Sequence, residues 1–82
     1  MLTIKHVTGS GEALYQGSEV IYHNGQDSAA ALQVQYLDGK EWKSLLNGVV
    51  YVMNDAGKTV ANYELAYVNY QFGALGPDIR VA

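Results

Sequence analysis

The sequence predicts an all-β protein: a curled antiparallel sheet or small barrel of about six or seven strands, with at most one short helical turn. Three observations predict it. Nine glycines punctuate 82 residues, and most fall between short apolar or alternating runs. Turn signals at such regular spacing mark successive short strands. The runs themselves are rich in Val, Ile, Tyr and Thr, which suit a pleated, half-buried surface. The single proline, Pro77, lies near the end, where it interrupts no earlier strand.

The elements follow in order. Leu2 to Thr8 is a short alternating run, and Thr8-Gly9-Ser10-Gly11 is loop chemistry, because glycine supplies positive φ and serine bonds the local backbone. Residues 12–16, with Leu14 and Tyr15, form a second strand, and Gly17-Ser18 bends or bulges it. Residues 19–23 are β-branched and aromatic and end at Asn24-Gly25. Residues 26–31 are ambiguous. Asp27 can cap one helical turn over Asp27-Ser28-Ala29-Ala30-Ala31-Leu32, too short to stand as an independent helix.

Leu32-Gln33-Val34-Gln35-Tyr36 alternates strictly, so one face is apolar and the other polar. Asp38-Gly39 signals a hairpin. A tight loop sets Val34 against Lys43, whereas a longer one sets it against Leu45; the apolar match favours the second. Asn47-Gly48 reads as a turn before the apolar strand Val49-Val50-Tyr51-Val52-Met53. Residues 54–58 have the chemistry of a type I turn with a glycine bulge. Pairing Asn54 with Lys58 then sets Met53 against Thr59, Val52 against Val60, Tyr51 against Ala61 and Val49 against Tyr63. Val49, Tyr51, Met53, Thr59, Ala61, Tyr63 and Leu65 share one face in this register, and Val50, Val52, Val60, Asn62 and Glu64 share the other. Both faces are partly apolar, so the hairpin requires cover on both sides, from the rest of the sheet or from a second subunit. Residues 66–72 alternate as another strand, an edge or dimer contact, with a helix as the alternative; residues 73–82 are a tail.

Composition bounds the function. At this length one domain, residues 1–82, is the expectation. Such a chain buries only about three-fifths of its unfolded surface, which favours a homo-oligomer. Cysteine is absent, excluding disulfides and thiol chemistry. Five Lys and Arg against eight Asp and Glu give a net charge of −3, unsuited to tracking a nucleic acid backbone. The N-terminus lacks a basic stretch before an apolar run, and no window reaches membrane-spanning length, so the expected location is the cytoplasm.

Catalytic constellations are not legible. His6 and His23 have no metal-ligand spacing, no serine sits in a nucleophile elbow, and the acids Asp27, Asp38, Asp55 and Asp78 fall at turns. Gly57-Lys58-Thr59 resembles the end of a P-loop, but Val52 replaces the required first glycine and a strand follows instead of a helix. No enzyme, metal or cofactor is therefore expected. Aromatic content is the informative feature: seven Tyr, Trp42 and Phe72. Most serve packing, yet Tyr and Trp also stack on ligands, at about 1–3 kcal/mol per base. By residue type, Tyr22, Trp42 and Tyr70 are candidate stacking residues, and Lys43, Lys58 and Arg80 candidate phosphate partners for one small anionic ligand.

The segment Val50-Tyr51-Val52-Met53-Asn54, followed by Gly57-Lys58-Thr59-Val60, Tyr63 and Leu65, resembles small cytosolic proteins of tailed bacteriophages that read V-Y-V-M-N-x-x-G-K-T-V-x-x-Y-x-L. Thr3-Ile4-Lys5-His6, Leu14-Tyr15, Val20 and Tyr22 resemble that group's opening. The resemblance covers residues 2–22 and 49–65. It carries over no site residues, because the group is mostly uncharacterised. What it implies is a setting: small accessory phage proteins often counter host defence, either by blocking a defence protein or by sequestering a nucleotide signal between subunits. The expectation is thus a non-enzymatic antagonist of bacterial antiphage immunity, an oligomeric sponge for a cyclic nucleotide. The alternatives are a protein–protein inhibitor of a host defence protein and a minor virion component.

Overall fold

The computed structural model describes residues 1–25, 31–66 and 75–80, with side chains at 1–23 and 33–65. Every regular element among them is a strand: β1 Leu2–Thr8, β2 Gly11–Gly17, β3 Val20–Gly25, β4 Ala31–Asp38, β5 Glu41–Leu45, β6 Asn47–Met53, β7 Thr59–Ala66 and β8 Leu75–Arg80. The all-β expectation holds, but the sheets do not close into a barrel. Four strands run in the order β2-β1-β6-β7, and β3 joins β4, which also pairs β5. β8 adds to the free side of β3, so the stretch expected as a tail carries a strand. Of the helical turn expected over residues 27–32, Ala31 and Leu32 belong to β4 instead, and the rest lies outside the described residues. Of the strand expected over 66–72, Ala66 ends β7 and residues 67–72 lie outside them.

The two sheets meet at both ends. A single parallel pairing, Ala31 with Leu65, links β4 to β7. After β2, the bend at Ser18 carries the chain into the other sheet, where the Ser18 amide donates to the Leu37 carbonyl at 3.1 Å and the Leu37 amide to the Glu19 carbonyl at 2.9 Å. Gly17 packs closely at this passage: a Cβ there would lie 3.2 Å from Tyr36 Cβ and from the Leu37 carbonyl oxygen. Only Leu46 separates β5 from β6, so the chain changes sheets a second time within one residue.

The core lies between the sheets. Ile4, Val50, Val52 and Leu65 from one and Val20, Val34, Tyr36 and Leu45 from the other form one buried cluster. Their alternation along each strand sets one side chain in two inward. Tyr15 stacks on Tyr36 with centroids 5.2 Å apart, and Tyr22 packs against Tyr63 at 4.3 Å. The first distance falls in the range where offset rings attract, and the second is slightly closer than that range.

Register shows where the sequence was read well and where it was not. Val34 pairs with Leu45 as favoured, yet through a two-residue turn, Gly39-Lys40, rather than a longer loop. Gly39 at φ +65° permits that turn. The β6–β7 turn forms as expected: Asn54 exchanges backbone bonds with Lys58 and Gly57, and its side-chain oxygen accepts from the Ala56 and Lys58 amides. Beyond it the expected register is overturned. Met53 faces Thr59, but Val52 faces Ala61, Tyr51 faces Asn62 and Val50 faces Tyr63, so Val60 is the extra residue of a bulge. The bulge brings Ala61, Tyr63 and Leu65 to the core side with Val50 and Val52. It leaves Val60 exposed and sets Val49, Tyr51 and Met53 half-buried on the outer face beside Asn62 and Glu64.

Asn47-Gly48 is not a turn but the start of β6. Gly48 holds φ +78° because it lies hard against β1, where a Cβ would run into the Val7 carbonyl oxygen. The same approach lets His6 Nε2 donate to the Asn47 carbonyl at 2.6 Å, which fixes the proton on that nitrogen.

Candidate functional site

The residues singled out from sequence do not converge within the described chain. Tyr22 points into the core and packs on Tyr63. Burial, with the neighbouring Tyr22 hydroxyl, pushes the Tyr63 phenol up to about 12. Trp42 and Lys43 are adjacent on β5 and so point to opposite faces. Lys43 lies 3.2 Å from the Asp38 carboxylate, whose hydrogen bond and charge raise the ammonium above its ordinary value. Lys58 sits in the β6–β7 turn of the other sheet. Arg80 occupies the register position beside Ile21 on β8. Tyr70 lies outside the described residues.

What the structure does assemble is a face that sequence reading missed: the outer side of β3, β4 and β5. Across it runs a polar chain. His23 Nε2 donates to Gln35 Oε1 at 2.7 Å, and Gln35 Nε2 donates to Ser44 Oγ at 3.1 Å. His23 is buried, the one polar side chain so classed among the described residues. β8 sets Asp78 at its register position. One step along, Trp42 stands directly opposite Leu37. Trp42 is 39% exposed, a large aromatic surface left to solvent on a face whose centre is already hydrogen-bonded. The strict alternation of Gln33-Val34-Gln35-Tyr36 was the available signal for this face, since it puts both glutamines on the side away from the core.

The arrangement is a hydrogen-bonded chain of an imidazole, an amide and a hydroxyl. The Gln35 amide occupies His23 Nε2, so Ser44 reaches the ring only through a group that is neither acid nor base. Among the described residues no group of three His, Asp or Glu is placed to hold a metal ion. Among them, too, no helix is long and apolar enough to cross a membrane. No protein-family model, curated protein or solved structure matches the chain.

Proposed function

We propose that this protein is a non-enzymatic accessory protein of the tailed-phage kind that antagonises bacterial antiphage immunity by direct contact with a host defence protein. The exposed indole of Trp42, opposite Leu37 and flanked by the Gln35–Ser44 hydrogen bond, carries the reading. Tryptophan is the side chain most enriched where a few residues dominate binding, and it does so best beside polar groups that are already positioned. The phage setting rests on the resemblance of residues 2–22 and 49–65.

Between the two modes of antagonism, contact is favoured by how the other candidates are engaged. Tyr22 would have to leave its packing on Tyr63 to stack on a base, and Lys43 would have to leave Asp38 to meet a phosphate. The test is to purify the protein from cells carrying antiphage defences, heat-denature it, and chromatograph the supernatant, alongside calorimetry against cyclic di- and trinucleotides. The contact reading expects no released nucleotide, no heat of binding, and a stoichiometric defence protein that co-elutes before heating. A nucleotide released on heating, or micromolar binding to any of the panel, would replace it with the sponge.

A further inference from the structure

We infer that two copies of this chain pair through their β2 strands, in a two-fold antiparallel ladder centred on Leu14. This does not rest on the function proposed above. β2 is the terminal strand of its sheet, and no described strand pairs its outer side. It runs seven residues in unbroken register with β1. Natural edges are normally blunted by a bulge, a proline or charged side chains, lysine above all; β2 has no bulge, proline or lysine, and its one charge, Glu12, lies 3.5 Å from Lys5.

The parity of the ladder fixes which residues are available. Thr8 and Gly11 are paired across the two-residue turn Gly9-Ser10, so they are a hydrogen-bonded pair, as are His6–Ala13 and Ile4–Tyr15 by alternation. The backbone groups of Glu12, Leu14 and Gln16 therefore point away from β1. All three side chains are exposed, and Leu14, at 67%, is the most exposed of the large apolar side chains described.

A second copy running antiparallel, with Leu14 against its own counterpart, uses all of these groups. Glu12 then faces Gln16 of the other copy, and Gln16 faces its Glu12. Each such pair exchanges two N–H···O bonds. Side by side, the two exposed leucines bury one another. No like charges meet: the two Glu12 residues are four positions apart along the ladder, about 13 Å, beyond a Debye length at ordinary ionic strength. Glu12 is moreover already 3.5 Å from Lys5.

The other edges fail the same test. β7, at the far end of the same sheet, is bulged at Val60 and already joined to β4 at Leu65. The turn pairing of Asp38 with Glu41 leaves only Trp42 and Ser44 facing outward on β5, and pairing one with the other sets Lys43 against Lys43. β8 contains Pro77, which has no N–H to give.

Sedimentation equilibrium at micromolar concentration tests the pairing, with expected mass twice the 8.9 kDa of the chain. Leu14→Pro removes an amide that faces solvent in the single chain, so it should halve the mass without changing the circular dichroism. Single-cysteine variants keep the test open if that variant does not fold. Hydrogen-bonded partners have Cα atoms about 5.5 Å apart, within disulfide reach, so Leu14→Cys should cross-link rapidly and Val60→Cys should not. A wild-type chain that sediments as a monomer, as it would if β2 served a different protein, overturns the inference. So does a folded Leu14→Pro that stays dimeric, or a Leu14→Cys that cross-links no faster than Val60→Cys.

Discussion

Val50 and Tyr63 stand directly opposite each other on β6 and β7, one residue out of step with an uninterrupted hairpin. That single shift decides which side of β7 is core. Val52, fully buried, should lose about 2–3 kcal/mol on Val52→Ala, from lost transfer energy plus the cavity. Val60→Ala should change stability by no more than about 0.5 kcal/mol, since Val60 is 40% exposed. Urea unfolding of both variants checks this. Equal losses would restore the uninterrupted register, in which the two valines face each other.

Gly48 should tolerate no side chain. Its φ of +78° costs an L-residue about 1–2 kcal/mol, and the Val7 carbonyl blocks the Cβ as well. Gly48→Ala is expected to lower stability by about 2 kcal/mol or more, whereas Gly9→Ala, with open space around it, should be near neutral. Thermal unfolding of the two variants side by side gives the comparison.

Tyr63 should make the fold sensitive to alkali. Burial raises its phenol from the ordinary 10.0 to about 12, so the folded state holds the proton more tightly than the unfolded chain. The associated stability is fully present below pH 10 and is lost as pH rises from there through about 12. Ultraviolet titration should show a late-ionising tyrosine that Tyr63→Phe removes. Tyr63→Phe should also move the alkaline unfolding midpoint upward.

Gln35 joins His23 to Ser44, so Gln35→Ala breaks two hydrogen bonds at once. The expected loss is about 1–3 kcal/mol, the larger part from the buried His23 side. Ser44→Ala should lose about 1 kcal/mol or less, because its bond to Gln35 is exposed. Urea midpoints of the two variants rank the two ends of the chain.

Much of the fold was legible because strand signals here are local. Turn glycines and alternation located β1 to β7 closely, and the apolar match of Val34 with Leu45 chose the right register. The β6–β7 register was not legible. A bulge is decided by which side chains the opposite sheet can bury, and Tyr22 and Val34 belong to strands distant in sequence. Gly48 misled for a related reason: its positive φ serves a close approach to Val7, not a turn. The candidate site fared worst. Residue type alone grouped Tyr22 with Trp42, although one faces the core and the other solvent. The His23–Gln35–Ser44 chain joins three strands and has no signature along the sequence.

The central claim, action by contact through the Trp42 face, is tested most directly by phage plating on bacteria that each carry one antiphage defence system. Expression of the wild-type chain should restore plating on at least one such strain. Trp42→Ala, matched to wild type in circular dichroism and expression, should abolish that rescue, while Tyr22→Phe should retain it. Rescue undiminished by Trp42→Ala, or no rescue on any strain, would contradict the account.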